Sequence, residues 1–230
     1  MLPPRRSPLI VALDIPDAAA ALRLATLLQP YVAMVKVGLE TFFAGGTQLV
    51  QRLRQLGLEV FLDLKLHDIP RTAAAAAAQL APLDVRLLTV HAAGGPDMVR
   101  AVRCALPAQT AVLAVTVLTS LDDAQVVALG MGESAAHSAQ RLGTMARQHG
   151  ADGLVCSSHE LATLKPLGGL RVVPGIRLDG PVHDQRRVAT PAQALAAGAT
   201  YLVVGRAVVA APDPVAAAQT LLRACSGDLV

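Results

Sequence analysis

The feature that most constrains this chain is an alternation that runs its whole length. Short β-branched runs take turns with longer alanine- and leucine-rich stretches across all 230 residues. Strand-like segments occur at residues 9–14, 32–37, 59–65, 85–91, 111–116, 153–156, 170–174 and 201–205. Helical patterns fall between them at 18–28, 47–56, 72–80, 96–105, 134–149 and 214–224. Repeated βα units build a parallel sheet, and eight of them close naturally into a (β/α)8 TIM barrel. The six-alanine run at 73–78 is low in complexity, but alanine is the strongest helix former, so it is expected to be a packed helix. No linker or shift of composition divides the chain. Residues 1–230 are therefore expected to form one α/β barrel domain, a size that suits a single well-buried core.

Composition removes several classes of function. Hydrophobic residues make up 53% of the chain, yet no uninterrupted apolar stretch reaches the ~18 residues that a membrane span needs. The N-terminal segment carries Arg5 and Arg6 but no cleavable small-residue site, so no export signal is expected. Cys104, Cys156 and Cys225 are odd in number and far apart, which fits neither a disulfide framework nor a zinc site and points to a reducing cytoplasm. The net charge of +3 is spread over dispersed arginines, and aromatics are only 2%, so platforms for stacking nucleic-acid bases are missing. A small anionic substrate suits the mild excess of positive charge.

Ionisable residues gather where the strands end. Barrel enzymes build their active sites at the C-terminal ends of their strands. Asp14 ends the first strand, Lys36 lies near the end of the second, and Asp63, Lys65 and Asp68 cluster at the end of the third. Side chains two apart in a strand share a face, so Phe61, Asp63 and Lys65 are expected to point together into the barrel. Lys36 approaches them from the neighbouring strand, and Asp68 opens the next helix. An alternating set of two lysines and two aspartates keeps buried charges paired. A structural ion network is the bland alternative, although such a network has no reason to favour a barrel mouth.

A second group suits an anion. Pro174-Gly175-Ile176-Arg177 and Val204-Gly205-Arg206 end strands seven and eight, after which barrels frequently bind phosphate. Glycines let backbone N–H groups approach the oxygens, and an arginine forks two donors onto them. The long connection at 178–190 is expected to be a lid or binding loop, with an idle surface loop as the alternative. Thr119 and Ser120 offer hydroxyls to a polar ring edge or to a helix cap. His67 and His91 lie near strand ends and are expected to be structural.

Taken together, these segments resemble the orotidine 5′-phosphate decarboxylase family in its bacterial form, nearly end to end. The carriers are Val11-Ala12-Leu13-Asp14, Val35-Lys36-Val37-Gly38, the run from Phe61 to Pro70 with its Asp63-x-Lys65-x-x-Asp68-Ile69 element, Val115-Thr116-Val117-Leu118-Thr119-Ser120, Val173-Pro174-Gly175-Ile176-Arg177 and Val203-Val204-Gly205-Arg206. The resemblance implies cofactor-independent, metal-free decarboxylation of orotidine 5′-phosphate to UMP. Lys65, Asp63, Lys36 and Asp68 would be catalytic, with Lys65 the proton donor to C6 and Asp63 beside the substrate carboxylate. Lys36 and Asp14 would hold the ribose side and Thr119 the ring amide. Gln185, Arg206 and the Gly205 backbone would bind phosphate, with Arg177 nearby. The substrate-binding set also takes in Leu64, Leu66, His67, Ile69, Pro70, Arg71, Thr72 and Pro174. The resemblance further implies a homodimer in which Asp68 reaches the partner's site. This chain departs from the family pattern at Arg71, where asparagine is common, at Ala207, where proline is frequent, and in a somewhat short 178–190 loop.

Two other readings compete. A related barrel that decarboxylates or condenses sugar phosphates uses a similar Asp-x-Lys-x-x-Asp element with a divalent metal, but needs carboxylate ligands that the fourth strand, ending in His91, does not supply. A catalytically silent phosphate-binding barrel has no need of the Asp-Lys-Asp set.

Overall fold

The computed structural model describes residues 7–178 and 189–226. Among them, eight parallel strands pair in chain order and the last returns to the first, closing a barrel. They are β1 (Leu9–Ala12), β2 (Met34–Gly38), β3 (Val60–Leu66), β4 (Leu87–His91), β5 (Ala111–Val115), β6 (Gly153–Val155), β7 (Leu170–Val173) and β8 (Tyr201–Val204). Both faces of such a sheet are covered, and the strand side chains divide by period two into two buried sets. Ile10, Ala12, Met34, Phe61, Leu87, Leu113, Val172, Tyr201 and Val203 fill the barrel interior. Their neighbours, among them Leu9, Val11, Val35, Leu62, Leu88, Val90, Val112 and Leu202, face outward into the layer under the helices.

The helices are α1 (Ala18–Leu28), α2 (Leu39–Gln55), α3 (Pro70–Leu80), α4 (Pro96–Ala105), α5 (Asp123–Ala128), α6 (Ala135–Gln148), α7 (Leu161–Leu164), α8 (Pro191–Ala196), α9 (Arg206–Val209) and α10 (Pro214–Cys225). Local chemistry sets their starts. Asp17, Ser134 and Asp213 accept hydrogen bonds from first-turn amides of α1, α6 and α10, which satisfies donors that would otherwise be orphaned. The alanine run falls inside α3, with Ala73 and Ala77 buried and four residues apart.

Several expectations need correction. The ladders stop short of Asp14, Thr116, Cys156, Pro174 and Gly205, which lie in the loops just beyond the strands. Helix α2 holds the expected helix at 47–56 as its second part, and a further helical stretch from Leu39 precedes it across a kink at Gly46, whose φ of 58° is non-helical. Helix α5 was not expected at all. After β6 the helix is reduced to four residues between 3₁₀ turns, so a full helix does not follow every strand.

The two ends of the barrel differ. At the N-terminal end Arg103 reaches Asp152 at 2.8 Å and the carbonyls of Leu106, Pro107 and Thr110, which ties the entry to β5. That is stabilising work, and the chemistry lies at the other end. Leu113, fully buried in the interior set, measures how well the barrel is filled. Leu113→Ala should lower unfolding free energy by about 2–5 kcal/mol with the fold retained; urea unfolding that shows no loss would mean the interior is not packed there.

Candidate active site

Strands β2, β3 and β4 lie side by side, and each buries a polar side chain in the otherwise apolar interior. Lys36 and Asp63 are each 8% exposed and Thr89 is fully buried. Lys36 Nζ lies 3.1 Å from Asp14 Oδ1 and 3.4 Å from Asp63 Oδ2, and Lys65 Nζ lies 2.9 Å from the same Asp63 oxygen. The charges thus alternate as Asp14, Lys36, Asp63, Lys65. The other oxygen of Asp63 accepts the Thr89 hydroxyl at 2.9 Å. Burial alone would raise the Asp63 carboxyl. The charges of Lys36 and Lys65, with hydrogen bonds from Lys65 and Thr89, outweigh it and hold the group below the usual carboxylate range.

Room for this array is made by glycine. A Cβ on Gly38 would sit 2.8 Å from Asp14 Oδ1 and 2.9 Å from Lys36 Nζ. The Asp14 loop is fixed by buried Thr41, whose hydroxyl oxygen accepts from Ile15 N at 3.0 Å and lies 2.9 Å from the Leu13 carbonyl.

Lys65 reaches Asp63 by a route that simple alternation does not describe. The β3–β4 register shifts between Leu62 and Leu66, and Lys65 has φ 51°, a conformation that costs a non-glycine residue about 1–3 kcal/mol. Its amide donates to Thr89 Oγ1 at 2.9 Å. Phe61, Asp63 and Lys65 all line the cavity, as expected, but a local distortion of the strand delivers Lys65.

The array opens into a cavity of about 610 Å³. Phe61, Val115, Val117, Val155, Cys156 and Val203 contribute apolar wall. Asp14, Lys36, Asp63, Lys65, Thr119, Pro174, Arg177, Gly205 and Arg206 all line it, so nine of the expected site residues are brought together. Gly175 has φ 78° at the exit of β7, and Ile176 and Ala189 form a parallel bridge, so both ends of the 178–190 connection sit at the rim. Gln185 lies outside the described residues.

The other expected residues do not line this cavity. Leu64 and Leu66 pack against the core under the helices. His67, Asp68, Ile69, Pro70, Arg71 and Thr72 form an exposed run, and Asp68 accepts from the Ile69 amide at 2.7 Å. Within one chain, therefore, Asp14 rather than Asp68 is the second acid of the array. Past Leu66 the chain has left the strand, and its direction carries Asp68 away from Lys65. The two histidines are partners rather than isolated residues, with ring centroids 5.3 Å apart. Burial first, then His67 and Lys65, push the His91 imidazole below its ordinary value, against the pull of Asp63. Thr89 escaped the sequence reading because a threonine in a strand is ordinary, and Thr41 because a threonine in the first turn of a helix is equally so. Their only signal is a hydroxyl in an apolar context. Among the described residues, no group of three or more His, Cys, Asp or Glu side chains could hold a metal ion.

With this geometry in hand, comparison with known proteins is decisive. Residues 7–221 match the model of the orotidine 5′-phosphate decarboxylase / HUMPS family. The chain belongs to that family. It is 51% identical over 215 residues to the orotidine 5′-phosphate decarboxylase of Anaeromyxobacter dehalogenans, covering 91% of this chain and 94% of the relative. It is 44% identical over 218 residues to that of Novosphingobium aromaticivorans, covering 94% and 97%. The crystal structure of orotidine 5′-phosphate decarboxylase from Lactobacillus acidophilus superposes with a TM-score of 0.83 at 36% identity, covering 95% of this chain and 99% of that one. The barrel of this family member is thus the one its sequence pattern called for.

Because the fold lowers the Asp63 pKa, the unfolded chain takes up a proton first as pH falls. The stabilisation from Asp63 is complete above about pH 4 and vanishes as pH drops through the folded value. Asp63→Asn should therefore be less stable than wild type near neutrality, with the gap closing in acid. Thermal unfolding of both proteins across that range checks this, and a gap that ignores pH would contradict it.

Proposed function

We propose that this chain decarboxylates orotidine 5′-phosphate to UMP and carbon dioxide without a cofactor. The observation that carries the reading is the Asp14–Lys36–Asp63–Lys65 array, opening on a cavity that Gly175, Arg177, Gly205 and Arg206 also line. A cavity of about 610 Å³ is of the size that holds a small ligand, here a mononucleotide. The relatives carry the same activity in their names.

In this reading Arg206, the Gly205 amide and Arg177 take the phosphate, Asp14 and Lys36 the ribose hydroxyls, and Thr119 the ring amide. Gln185 and Pro174 complete the nucleotide's surroundings. The carboxylate on C6 then lies beside Asp63. The bond from C6 to the carboxylate breaks, carbon dioxide leaves, and the electron pair stays on C6. No adjacent carbonyl delocalises it, so a fixed cation is needed at that carbon. Lys65 supplies the field and then transfers one Nζ proton to C6, giving UMP, and it regains a proton from water.

Repulsion between Asp63 and the substrate carboxylate is a smaller effect. At about 4 Å and an effective dielectric near 20 it is worth roughly 4 kcal/mol, whereas enzymes lower barriers by about 8–23 kcal/mol. Stabilisation of the carbanion-like state must provide most of the rest, aided by binding energy from the distant phosphate.

The exposed run from His67 to Thr72, with Ile69 63% exposed, suits a surface covered by a second copy. There Asp68 would enter the partner's cavity, and a two-fold arrangement would return the partner's Asp68 to this one. The compartment proposed is the cytoplasm, which suits three free cysteines. Among the described residues no helix is long and apolar enough to cross a membrane.

Loss of pyrimidine absorbance from orotidine 5′-phosphate, followed with EDTA present, tests the function directly. Full activity is expected; activity only with added divalent metal would favour the sugar-phosphate branch. Lys65→Ala should lose nearly all turnover and still bind UMP, and robust turnover in it would remove the proposed proton donor. Arg206→Ala should mainly lower kcat/KM, and an unchanged value would place the anion elsewhere. Lys65→Ala and Asp68→Asn should each be inactive alone and regain activity when mixed and allowed to exchange subunits. No recovery would contradict the shared site.

A further inference from the structure

Within the decarboxylase reading above, on which this inference rests, we propose that Thr89 is a positioning residue that locks Asp63 and Lys65 into one geometry. A hydroxyl has one proton and two lone pairs. At Thr89 the oxygen accepts the Lys65 amide at 2.9 Å, and its single proton goes to Asp63 Oδ1, also at 2.9 Å. The side chain is fully buried in the middle of β4, whose Leu87, Thr89 and His91 turn inward by period two. One group on β4 therefore grips both ends of the distorted stretch of β3. It fixes the backbone of Lys65 in its left-handed conformation, and it leaves the second carboxylate oxygen of Asp63 to the two lysines.

Removing the hydroxyl while keeping the volume leaves the Lys65 amide and Asp63 Oδ1 each short of a partner, in a place where water is scarce. Lys65 is then free to leave the left-handed conformation, and its Nζ moves relative to a bound substrate. Displacements of an ångström at a reacting centre cost about a hundredfold in rate. Thr89 acts on the cavity only through Asp63 and Lys65 and is not itself one of its lining residues, so substrate affinity has no direct reason to change.

The test uses Thr89→Val, which keeps shape and loses the hydroxyl, and Thr89→Ser, which keeps the hydroxyl and loses the methyl. Thr89→Val should lower kcat by about ten- to a hundredfold, with KM and UMP affinity close to wild type. Thr89→Ser should recover most of that loss. A purely structural role would show the reverse, with the serine variant as impaired as the valine one or with kcat untouched in both.

A second readout does not depend on the reaction. The Asp63 carboxyl, followed by carbon NMR, should titrate higher in Thr89→Val than in wild type and return in Thr89→Ser. The groups facing Asp63 are Lys36 from β2 and Lys65 from its own strand, with Asp14 beyond Lys36 and His91 further along β4. All four are unchanged in these variants. An unshifted titration overturns the positioning role whatever the activity. Wild type that fails to decarboxylate, with the shift present, overturns the decarboxylase reading instead and leaves the positioning role standing.

Discussion

The structure turns on one buried carboxylate shared by two ammonium groups. Taking charges out of water costs several kcal/mol per ion unless partners replace the solvent. Asp63 receives three, Lys36 and Lys65 on one oxygen and Thr89 on the other. Direct pairing makes this possible, because β3 lies between β2 and β4, with Gly38 level with Asp63 and Lys36 two residues below it on β2, from where its side chain reaches the Asp63 carboxylate. The glycine that ends β2 leaves space for the array, and the distortion of β3 aims its last cation into the cavity.

The rest of the site follows from that concentration of charge. Apolar wall from Phe61, Val115, Val155 and Val203 lowers the local dielectric, which strengthens every interaction that the lysines make. The loops after β7 and β8 carry arginines and glycines to the same cavity. A substrate anchored there by an anion is presented to the array at its other end. Such a division of labour lets remote binding energy hold a carboxylate where it would otherwise be repelled. At the opposite end of the barrel Arg103 grips Asp152 and three carbonyls, which contributes stability.

Much of this was legible in the order of residues. Eight apolar strands separated by amphipathic stretches admit few folds, and charges at strand ends in a barrel have few structural uses. Asp14, Lys36, Asp63 and Lys65 were found on that ground, as were Arg177 and Arg206. What escaped detection depends on local backbone or on contacts between distant segments. Lys65 was expected on the shared face of a regular strand, but it gets there through a register shift that no pattern of residue types announces. Thr89 is a β-branched residue in a strand, so its hydroxyl carries no signal until β3 is laid beside it. Asp68 stands beside Lys65 in sequence, but the chain turns outward after Leu66 and leaves it exposed, outside this chain's own array, while its expected role in a partner's site concerns a second copy. The first stretch of α2, from Leu39 to the kink at Gly46, had no place in the expected 47–56 helix, because its glycine-interrupted pattern carries no helical period of its own.

The central claim is that the Lys65 ammonium is aimed at the carbon that loses its carboxylate. A crystal structure with UMP bound measures this most directly. The account predicts Lys65 Nζ within about 3.5 Å of C6, with Asp63 still paired to it and the phosphate held between the loops that follow β7 and β8. A ring bound with C6 facing the apolar wall, or an Nζ turned away from it, would contradict the account.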